Sequence, residues 1–341
     1  MKKLYLVLLI LFSTNMLYSQ GNSNVFNPDI SLILNGKYEY INTQDSYNSK
    51  FNIDESELTL SSSIDDKFSG SFTLSILDSQ IELEEAYIYT QALGVNIKAG
   101  RALWDIGYLN SHHPHSDNFS TRPLAYEFFL DEAFANDGIQ FSYVMPIKYY
   151  LEIGGGVYGV DYNNEGITQD KKADYTLYLR AGGDISTNQD YRIGGYLLSQ
   201  NESSISDVSL LNTELLKDTY VLDAKYNIFL SNNKSIVFLA EGYYSKYKNN
   251  DDDAKGYYAS VVYNFSSKWS IGESYSQIFY KEEQSKYKAN ENIVMLAWKN
   301  SEFATIRLQY NFLNDISNES KEHKLMVNYI VSLGAHSAHS Y

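Results

Sequence analysis

Apolar and polar residues alternate with a period of two along nearly the whole chain, and this pattern limits the possible folds more than any other feature. In one run, Phe68, Phe72, Leu74 and Ile76 alternate with Ser69, Ser71, Thr73 and Ser75. Similar runs occupy residues 30–40, 175–181, 220–226, 236–244, 257–265 and 306–312. Alternation of this kind predicts β-strands with one apolar and one polar face.

The polar face of these strands carries charged side chains, among them Arg180, Asp223, Lys225, Glu241 and Arg307. Five acids cluster on the early strands, where at least some should face the lumen: Glu55, Glu57, Glu82, Glu84 and Glu85. A dry core between packed sheets does not accept unpaired charges, whereas a water-filled lumen does. Alternation is equally compatible with a soluble β-sandwich, so the lengths of the connections between strands must distinguish the two folds.

Long and short connections alternate along the chain. The long ones are predicted at residues 42–54, 107–138, 161–174, 199–218, 246–255, 281–290 and 313–322, and short ones at 65–67, 91–94, 146–148, 186–190, 231–235, 266–268 and 299–302. The connection at 77–80, between two short ones, is fairly short as well. This rhythm predicts an all-β fold: a single transmembrane antiparallel up-and-down β-barrel with short periplasmic turns and long external loops. About sixteen strands of roughly 9–11 residues fit the chain, and a barrel of that size leaves an aqueous channel.

The N-terminus predicts export from the cytoplasm. Lys2 and Lys3 precede the apolar residues 4–12, and small polar residues follow, so residues 1–20 are predicted to be a cleaved signal peptide. Residues 21–341 then form the barrel in the bacterial outer membrane, with 107–138 as a long third external loop. The sequence has no cysteine, which excludes a lipid anchor, disulfides and thiolate metal sites.

Composition and charge indicate the partners. The chain has 32 Tyr against 3 Trp, and tyrosine suits a surface that is apolar in the middle and wet at its rims. Without Lys2 and Lys3 it has 42 acidic and 25 basic residues, a net charge near −17, which favours cations over anions and gives no basic patch for nucleic acid. Acidic external loops that bind the divalent ions bridging lipopolysaccharide are an alternative explanation. Expected partners are outer-membrane lipid, lipopolysaccharide, small cations or solutes, and further copies of the chain in a homo-oligomer.

Five of the six histidines fall in two clusters. One contains His112, His113 and His115, with Asp117 nearby, and the other contains His336 and His339. Imidazole and carboxylate groups suit zinc, nickel or copper. The clusters predict a weak metal site at the outer mouth and another at the periplasmic end, although a polar loop can also carry histidines without function. No cofactor is required beyond a weakly bound zinc or other divalent cation.

Two other functions compete with metal passage. Ser111, His112 and Asp117 contain the residue types of a catalytic triad, but adjacent loop residues rarely reach that geometry and no Gly-x-Ser-x-Gly sequence is present, so an enzyme is not predicted. A general or sugar porin without metal specificity is the main alternative. The constriction of such a porin would be formed by lumenal tyrosines together with Arg101, Arg180, Arg192 and Arg307.

Five segments resemble a family of porin-like outer-membrane proteins. They are residues 26–31 (FNPDIS), 82–87 (ELEEAY), 107–115 (GYLNSHHPH), 136–140 (NDGIQ) and 334–339 (GAHSAH). The resemblance implies an association with zinc or other metal uptake, and some members are labelled zinc-regulated or TonB-dependent receptors. His113 and His115 match the family's loop, whereas His112 departs from its usual Gln. The receptor label does not fit, because a TonB-dependent receptor has a 22-stranded barrel with a plug domain, and the first predicted strand here leaves no room for a plug.

Overall fold

The computed structural model describes residues 28–159 except 55, 78–79 and 132, then residues 173–200, 217–248, 252–282 and 285–334. The predicted signal peptide and the tail containing His336 and His339 lie outside the described residues.

Strands dominate the described chain. They are β1 (Asp29–Thr43), β2 (Tyr47–Ile53), β3 (Ser56–Ser63), β4 (Phe68–Leu77), β5 (Gln80–Ala92), β6 (Val95–Leu103), β7 (Ala135–Val144), β8 (Tyr150–Tyr158), β9 (Asp174–Ser186), β10 (Gln189–Ser199), β11 (Lys217–Leu230), β12 (Lys234–Tyr247), β13 (Asp253–Asn264), β14 (Trp269–Glu282), β15 (Ser285–Ser301), β16 (Ala304–Asp315) and β17 (Ser320–Gly334). The helix α1 covers Leu124–Leu130, and 3₁₀ turns cover Leu109–Ser111 and Pro114–Ser116.

The sheet closes on itself. Except for β2 and β3, strands that are neighbours in sequence pair antiparallel, and β1 also pairs with β17 from Ser31 opposite Gly334 to Thr43 opposite Glu322. The strands β2 and β3 pair with successive parts of β1, so they are two halves of one crossing. The barrel therefore has sixteen crossings, and the predicted fold class is confirmed.

The two faces of the wall differ as the alternation predicts. On β16, Leu308 and Tyr310 are 45% and 42% exposed on the outer face, whereas Arg307 is 8% exposed and faces the lumen. Apolar side chains are exposed in the same way on most other strands, and this outer surface suits lipid. Among the described residues, no helix has both the length and the apolar character needed to cross a bilayer.

Several long connections are shorter than predicted. Most of residues 42–54, 281–290 and 313–322, and both ends of 246–255, belong to paired strands; for example, only residues 44–46 separate β1 from β2, and only residues 316–319 separate β16 from β17. These segments are polar, but strand pairing depends on backbone hydrogen bonds and needs no apolar side chain once the strand rises above the bilayer. The predicted short turns near 188, 232, 267 and 302 are confirmed.

The third connection is long and folds into the barrel. It covers residues 104–134, because β6 continues to Leu103 and β7 begins at Ala135, and not 107–138 as predicted. The connection begins and ends at the same end of the barrel as the other long connections. Its side chains, however, pack against the inner face of the wall. We call residues 104–134 the inward loop. The sequence left open whether this loop lies above the barrel or inside it, and the burial of its apolar residues against the wall places it inside.

Candidate functional site

Asn110 holds the two ends of the inward loop together. Its Nδ2 donates to the carbonyl oxygens of Trp104 at 2.8 Å and Phe134 at 3.1 Å. Its Oδ1 accepts from the Phe134 backbone N–H at 2.7 Å and from the Tyr126 hydroxyl at 2.9 Å. The side chain is fully buried, and its two donors and its acceptor are all used.

Arg122 fixes the segment that carries the histidines. Its Nη2 donates to the carbonyl oxygens of Leu109 at 3.2 Å and His112 at 2.5 Å, and its Nε donates to Asp117 Oδ2 at 3.1 Å. A planar guanidinium has five N–H donors in a fixed arrangement, whereas a lysine ammonium has three on a single nitrogen. Arg122 is buried, so these bonds connect both 3₁₀ turns through the interior of the loop.

Polar wall residues anchor the backbone of the inward loop at several heights. Glu241 on β12 accepts from the backbone N–H of Tyr108 at 2.5 Å and of Leu109 at 3.0 Å. At the start of α1, Glu291 on β15 accepts from the Leu124 N–H at 3.1 Å, and Ser276 on β14 accepts from the Ala125 N–H at 2.8 Å. These acceptors satisfy N–H groups that the first turn of a helix leaves unpaired. On the remaining side, Arg307 donates to the carbonyl oxygens of Phe119 at 3.2 Å and His115 at 3.3 Å.

Apolar contacts complete the attachment. Ile106, Leu109, Tyr126 and Phe129 from the loop share one buried cluster with wall residues of β9 to β15, and the Phe129 ring stacks on Tyr243 with centroids 5.1 Å apart. A second cluster packs Phe119 against residues of β13 and β15. The inward loop is therefore a packed element that narrows the lumen.

Basic side chains lie on one part of the lumenal wall. Arg180 on β9 pairs with Asp105 and Glu152 at 2.8 Å each. On β10, Arg192 lies 3.5 Å from Asp223. On β11, the Nζ of Lys225 donates to the Tyr108 hydroxyl at 2.8 Å. The positive charges of this region are thus largely balanced by neighbouring acids.

Three carboxylates lie on another part of the wall, around β3 and β5. On β5, Glu85 lies opposite Thr73 and Leu83 lies opposite Leu74, so Glu84 is the extra residue of a β-bulge. A bulge breaks the alternation of side chains, and here it directs both Glu84 and Glu85 into the lumen. Glu57 on β3 is 2% exposed and faces the same space. We call Glu57, Glu84 and Glu85 the lumenal carboxylates.

His113 and His115 reach the lumenal carboxylates from the inward loop. The His113 Nδ1 lies 3.2 Å from Glu84 Oε1 and 3.3 Å from Glu57 Oε2, and its Nε2 lies 3.0 Å from Glu85 Oε2. The His115 Nδ1 lies 2.6 Å from Glu57 Oε1. The two imidazole rings are stacked with their centroids 5.7 Å apart.

The two neighbouring histidines have opposite electrostatic environments. Burial disfavours a charged His113, but the hydrogen bonds with Glu84 and Glu85 and the charge of Glu57 outweigh it and raise the pKa of His113 well above its usual range. Burial lowers the pKa of His112, which contacts a backbone carbonyl in place of a carboxylate. His113 is therefore the histidine whose charge is matched to the lumenal carboxylates.

The structure brings together some of the predicted metal-site residues and separates others. His113 and His115 lie together, but inside the lumen and not at the outer mouth. His115 even lines a cavity of about 260 Å³ with Phe303 of the short turn 302–303. Asp117 binds Arg122, and His112 binds the Tyr108 carbonyl, so neither joins the cluster. The predicted second pair, His336 and His339, lies outside the described residues.

Ser111, His112 and Asp117 are not arranged as a catalytic triad. The His112 Nδ1 lies 2.7 Å from the Tyr108 carbonyl oxygen, so it must donate there and cannot act as a base toward Ser111 through the same nitrogen. The Ser111 hydroxyl donates to that carbonyl too, at 2.9 Å, and Asp117 pairs with Arg122.

The specific roles of several residues did not follow from the sequence. Asn110 and Arg122 organise the inward loop together with Glu241, which was predicted only to lie on the polar face of its strand. Glu57 and Glu84, predicted only as acids of early strands that could face the lumen, are the partners of His113. One signal was available, since Arg122 is the only Arg or Lys between residues 104 and 134. The bulge at Glu84 gave no comparable signal, because a bulge is set by cross-strand pairing.

Solved porins have similar folds. An anion-selective porin from Comamonas acidovorans matches with a TM-score of 0.64 and 11% identity, over 90% of this chain and 99% of that one. OprB from Pseudomonas putida matches with a TM-score of 0.63 and 10% identity, over 90% and 94% of the two chains. OmpF from Salmonella typhi, solved with daunomycin, matches with a TM-score of 0.63 and 12% identity, over 91% and 99%. At these identities the likeness concerns the fold, and the chain is a porin-type barrel of the bacterial outer membrane.

An uncharacterised protein of Aquifex aeolicus (strain VF5) is 24% identical over 95% of this chain and 82% of its own length. No protein-family model matches the chain. The association with zinc that the resemblance implied stays a prediction.

Proposed function

We propose that the barrel is a channel for small cations, divalent metal ions among them, and that the inward loop forms its constriction. This proposal rests on one observation: among the buried charged side chains, acidic residues outnumber basic ones. Among the described residues these are Glu57, Glu85, Glu152, Asp174, Asp223, Glu241, Asp252 and Asp315, against Arg122, Lys217 and Arg307.

The location of the buried charged side chains follows from the fold. The outer face of the wall meets lipid and is apolar, so the buried charges lie on the lumen side or beneath the inward loop. Fixed negative charge in a narrow lumen raises the local concentration of cations and lowers that of anions. The lumenal carboxylates concentrate this charge beside the loop, where an ion passing the constriction would meet it.

A planar-bilayer experiment tests this proposal. The purified protein is reconstituted under a KCl gradient with a chelator present, and the reversal potential is measured. The sign for cation preference is expected, and the triple variant Glu57→Gln, Glu84→Gln, Glu85→Gln should reduce that preference. The matched control Asp45→Asn, Asp66→Asn, Glu319→Gln removes as many acids from exposed turns and should change the preference little, because exposed charges are screened within about 8–10 Å. Anion preference in the parent would contradict the proposal.

A pore for small uncharged solutes is the second candidate. It is favoured by the Tyr108 side chain, which carries Lys225 and Arg192 over its ring at 4.6 and 4.9 Å, because sugars bind to aromatic and polar groups together. Liposome swelling with neutral sugars distinguishes the two functions. Swelling that is fast and unaffected by the triple carboxylate variant, together with a reversal potential near zero, would favour the uncharged-solute pore.

A further inference from the structure

We propose that His113, Glu57 and Glu84 form a binding site for one divalent transition-metal ion of the zinc type, and that the ion ties the inward loop to the barrel wall. This inference names the ion and the residues within the lumen, and it rests on the proposed function for the route by which an ion arrives. It differs from the predicted sites, because two of the three ligands are wall carboxylates and His112 and Asp117 take no part.

The distances match tetrahedral coordination. Zinc binds imidazole nitrogen and carboxylate oxygen at about 2.0–2.2 Å, so neighbouring ligand atoms of a tetrahedral site lie about 3.4 Å apart. The His113 Nδ1 is 3.2 Å from Glu84 Oε1 and 3.3 Å from Glu57 Oε2. One ligand atom from each of the three residues lies within 4.8 Å of the others, so a small shift of the Glu84 side chain closes the triangle.

The groups around these ligands are those that support a metal site. A histidine ligand usually donates its other ring N–H to a carboxylate, which fixes the tautomer and the ring orientation. The His113 Nε2 makes this contact with Glu85 Oε2 at 3.0 Å, so a bound ion would replace the proton on Nδ1, which is released to solvent, while Nε2 keeps its own. The second oxygen of Glu57 is held in turn by the His115 Nδ1 at 2.6 Å. Glu85 and His115 are thus positioning residues for two of the three ligands.

Charge and hydrogen bonding also favour a cation at this point. Three carboxylates converge within the reach of one imidazole, and the Nζ of Lys98 is 3.9 Å from Glu85. Among the described residues, the Oε2 of Glu84 is a buried oxygen that accepts no hydrogen bond. A buried carboxylate oxygen without a partner is costly, and a metal ion would supply that partner.

The ligand set selects the class of ion. One imidazole with two carboxylates suits zinc and its neighbours in the first transition row, whereas calcium and magnesium prefer sites made of oxygen alone. Three protein ligands leave a fourth position for water or a substituting group, as in zinc sites that exchange ligands. Without thiolates, the site suits an ion that is captured and released.

Binding would change how the loop is held. Glu57 lies on β3 and Glu84 on β5, with β4 between them, and His113 lies between the two 3₁₀ turns of the loop. One ion would therefore join two strands of the wall to the inward loop at the constriction.

Isothermal calorimetry with zinc chloride tests the site. The full mature chain is used in detergent at pH 7.5, in a background with His336→Ala and His339→Ala so that the terminal pair cannot contribute. About one equivalent should bind, and His113→Ala and Glu84→Gln should each weaken binding at least about tenfold, the loss typical of altered metal sites. His112→Ala is the matched control, one residue away and facing the Tyr108 carbonyl, and it should bind zinc as the background protein does.

A spectroscopic measurement keeps the test independent of folding defects. Cobalt(II) in a tetrahedral nitrogen and oxygen site absorbs visible light strongly, so the background protein should show this absorption and Glu84→Gln should lose it while the barrel keeps its heat-resistant mobility on electrophoresis. The proposal is overturned if no zinc binds up to millimolar concentration, or if folded His113→Ala and Glu84→Gln bind as tightly as the background protein. Reversal potentials in KCl with chelator are measured without a bound transition metal, so a failure to bind zinc leaves the channel proposal standing, and the reverse also holds.

Discussion

The side chain of Asn110 shows how much the inward loop depends on single polar residues. Its amide bonds to both ends of the loop and to Tyr126 of α1, at a point that no water reaches. A buried polar group left without a partner costs about 1–3 kcal/mol, so the loss of a side chain that joins several partners exceeds the value of any one bond.

We therefore expect Asn110→Ala to loosen the inward loop while the barrel stays closed. The Phe134 N–H and the Trp104 carbonyl would lose their partner, and local stability should fall by about 1–3 kcal/mol or more. Limited chymotrypsin digestion of the folded protein measures this as faster cleavage within residues 104–134. Asn118→Ala, in an exposed part of the same loop, should be cleaved like the parent, and equal cleavage of both variants would contradict the role of Asn110.

The ion pair between Asp105 and Arg180 should make the attachment of the inward loop depend on pH. Burial alone would raise the pKa of Asp105, but the charge of Arg180, with smaller effects of Lys98 and Arg192, outweighs burial and holds it below the usual 3.8. A carboxyl whose folded pKa is lowered contributes stability above its unfolded pKa and loses it as the pH falls through the folded one. The contribution of Asp105 should thus be complete from neutral pH down to about pH 4.

Thermal unfolding of the parent and of Asp105→Asn between pH 2 and pH 7 measures this contribution. We expect Asp105→Asn to be less stable by about 1.5–3 kcal/mol near neutral pH, the range for hydrogen bonds to charged groups, and the difference to shrink below about pH 4. Asp137→Asn is the control, because Asp137 is 69% exposed and its pair with Arg101 should contribute little. A difference that is constant down to pH 2 would show that the Asp105 charge is not responsible.

At the scale of the strand, the outer and inner residues of β16 have different neighbours. Leu308 faces lipid, whereas Arg307 and Gln309 on either side of it face inward and bind the inward loop. A charge on the lipid face near mid-membrane costs about 2–4 kcal/mol, falling to about 0–1 kcal/mol near the interface.

Leu308→Lys should therefore destabilise the folded barrel by about 2–4 kcal/mol. Ile316→Lys should cost much less, since Ile316 is exposed in the turn 316–319 at the rim. Reversible unfolding in liposomes with increasing denaturant gives both values. Equal costs at the two positions would place β16 differently in the bilayer.

The strands were predictable from the sequence, whereas their ends and the path of the inward loop were not. A period of two with charges on one face is a local property, so runs such as 306–312 identify both the strand and its orientation. The polar ends of several strands, such as residues 42–54, were predicted as loops. Outside the bilayer, polar residues pair in strands as readily as apolar ones, so polarity does not mark the end of a strand there. His113 and His115 were chosen correctly as a pair, but their carboxylate partners come from strands 28 to 58 residues away in sequence, which no local pattern relates to them.

At the scale of the whole molecule, the wall and the inward loop have separate roles. Sixteen crossings enclose a space wide enough for water. The loop then divides this space, with Leu109 and Phe129 held against one part of the wall and His113 against another. We therefore attribute the width of the pore and much of its charge preference to residues 104–134 and to the acids that face them.

Single-channel conductance of a loop-deleted variant tests this claim most directly. Residues 106–132 are replaced by a short Gly-Ser linker between β6 and β7, and the unitary conductance and reversal potential are compared with those of the parent under the same KCl gradient. We expect the conductance to rise severalfold and the cation preference to fall, because the passage widens and ions pass farther from the lumenal carboxylates. A folded variant with the conductance and selectivity of the parent would contradict the account.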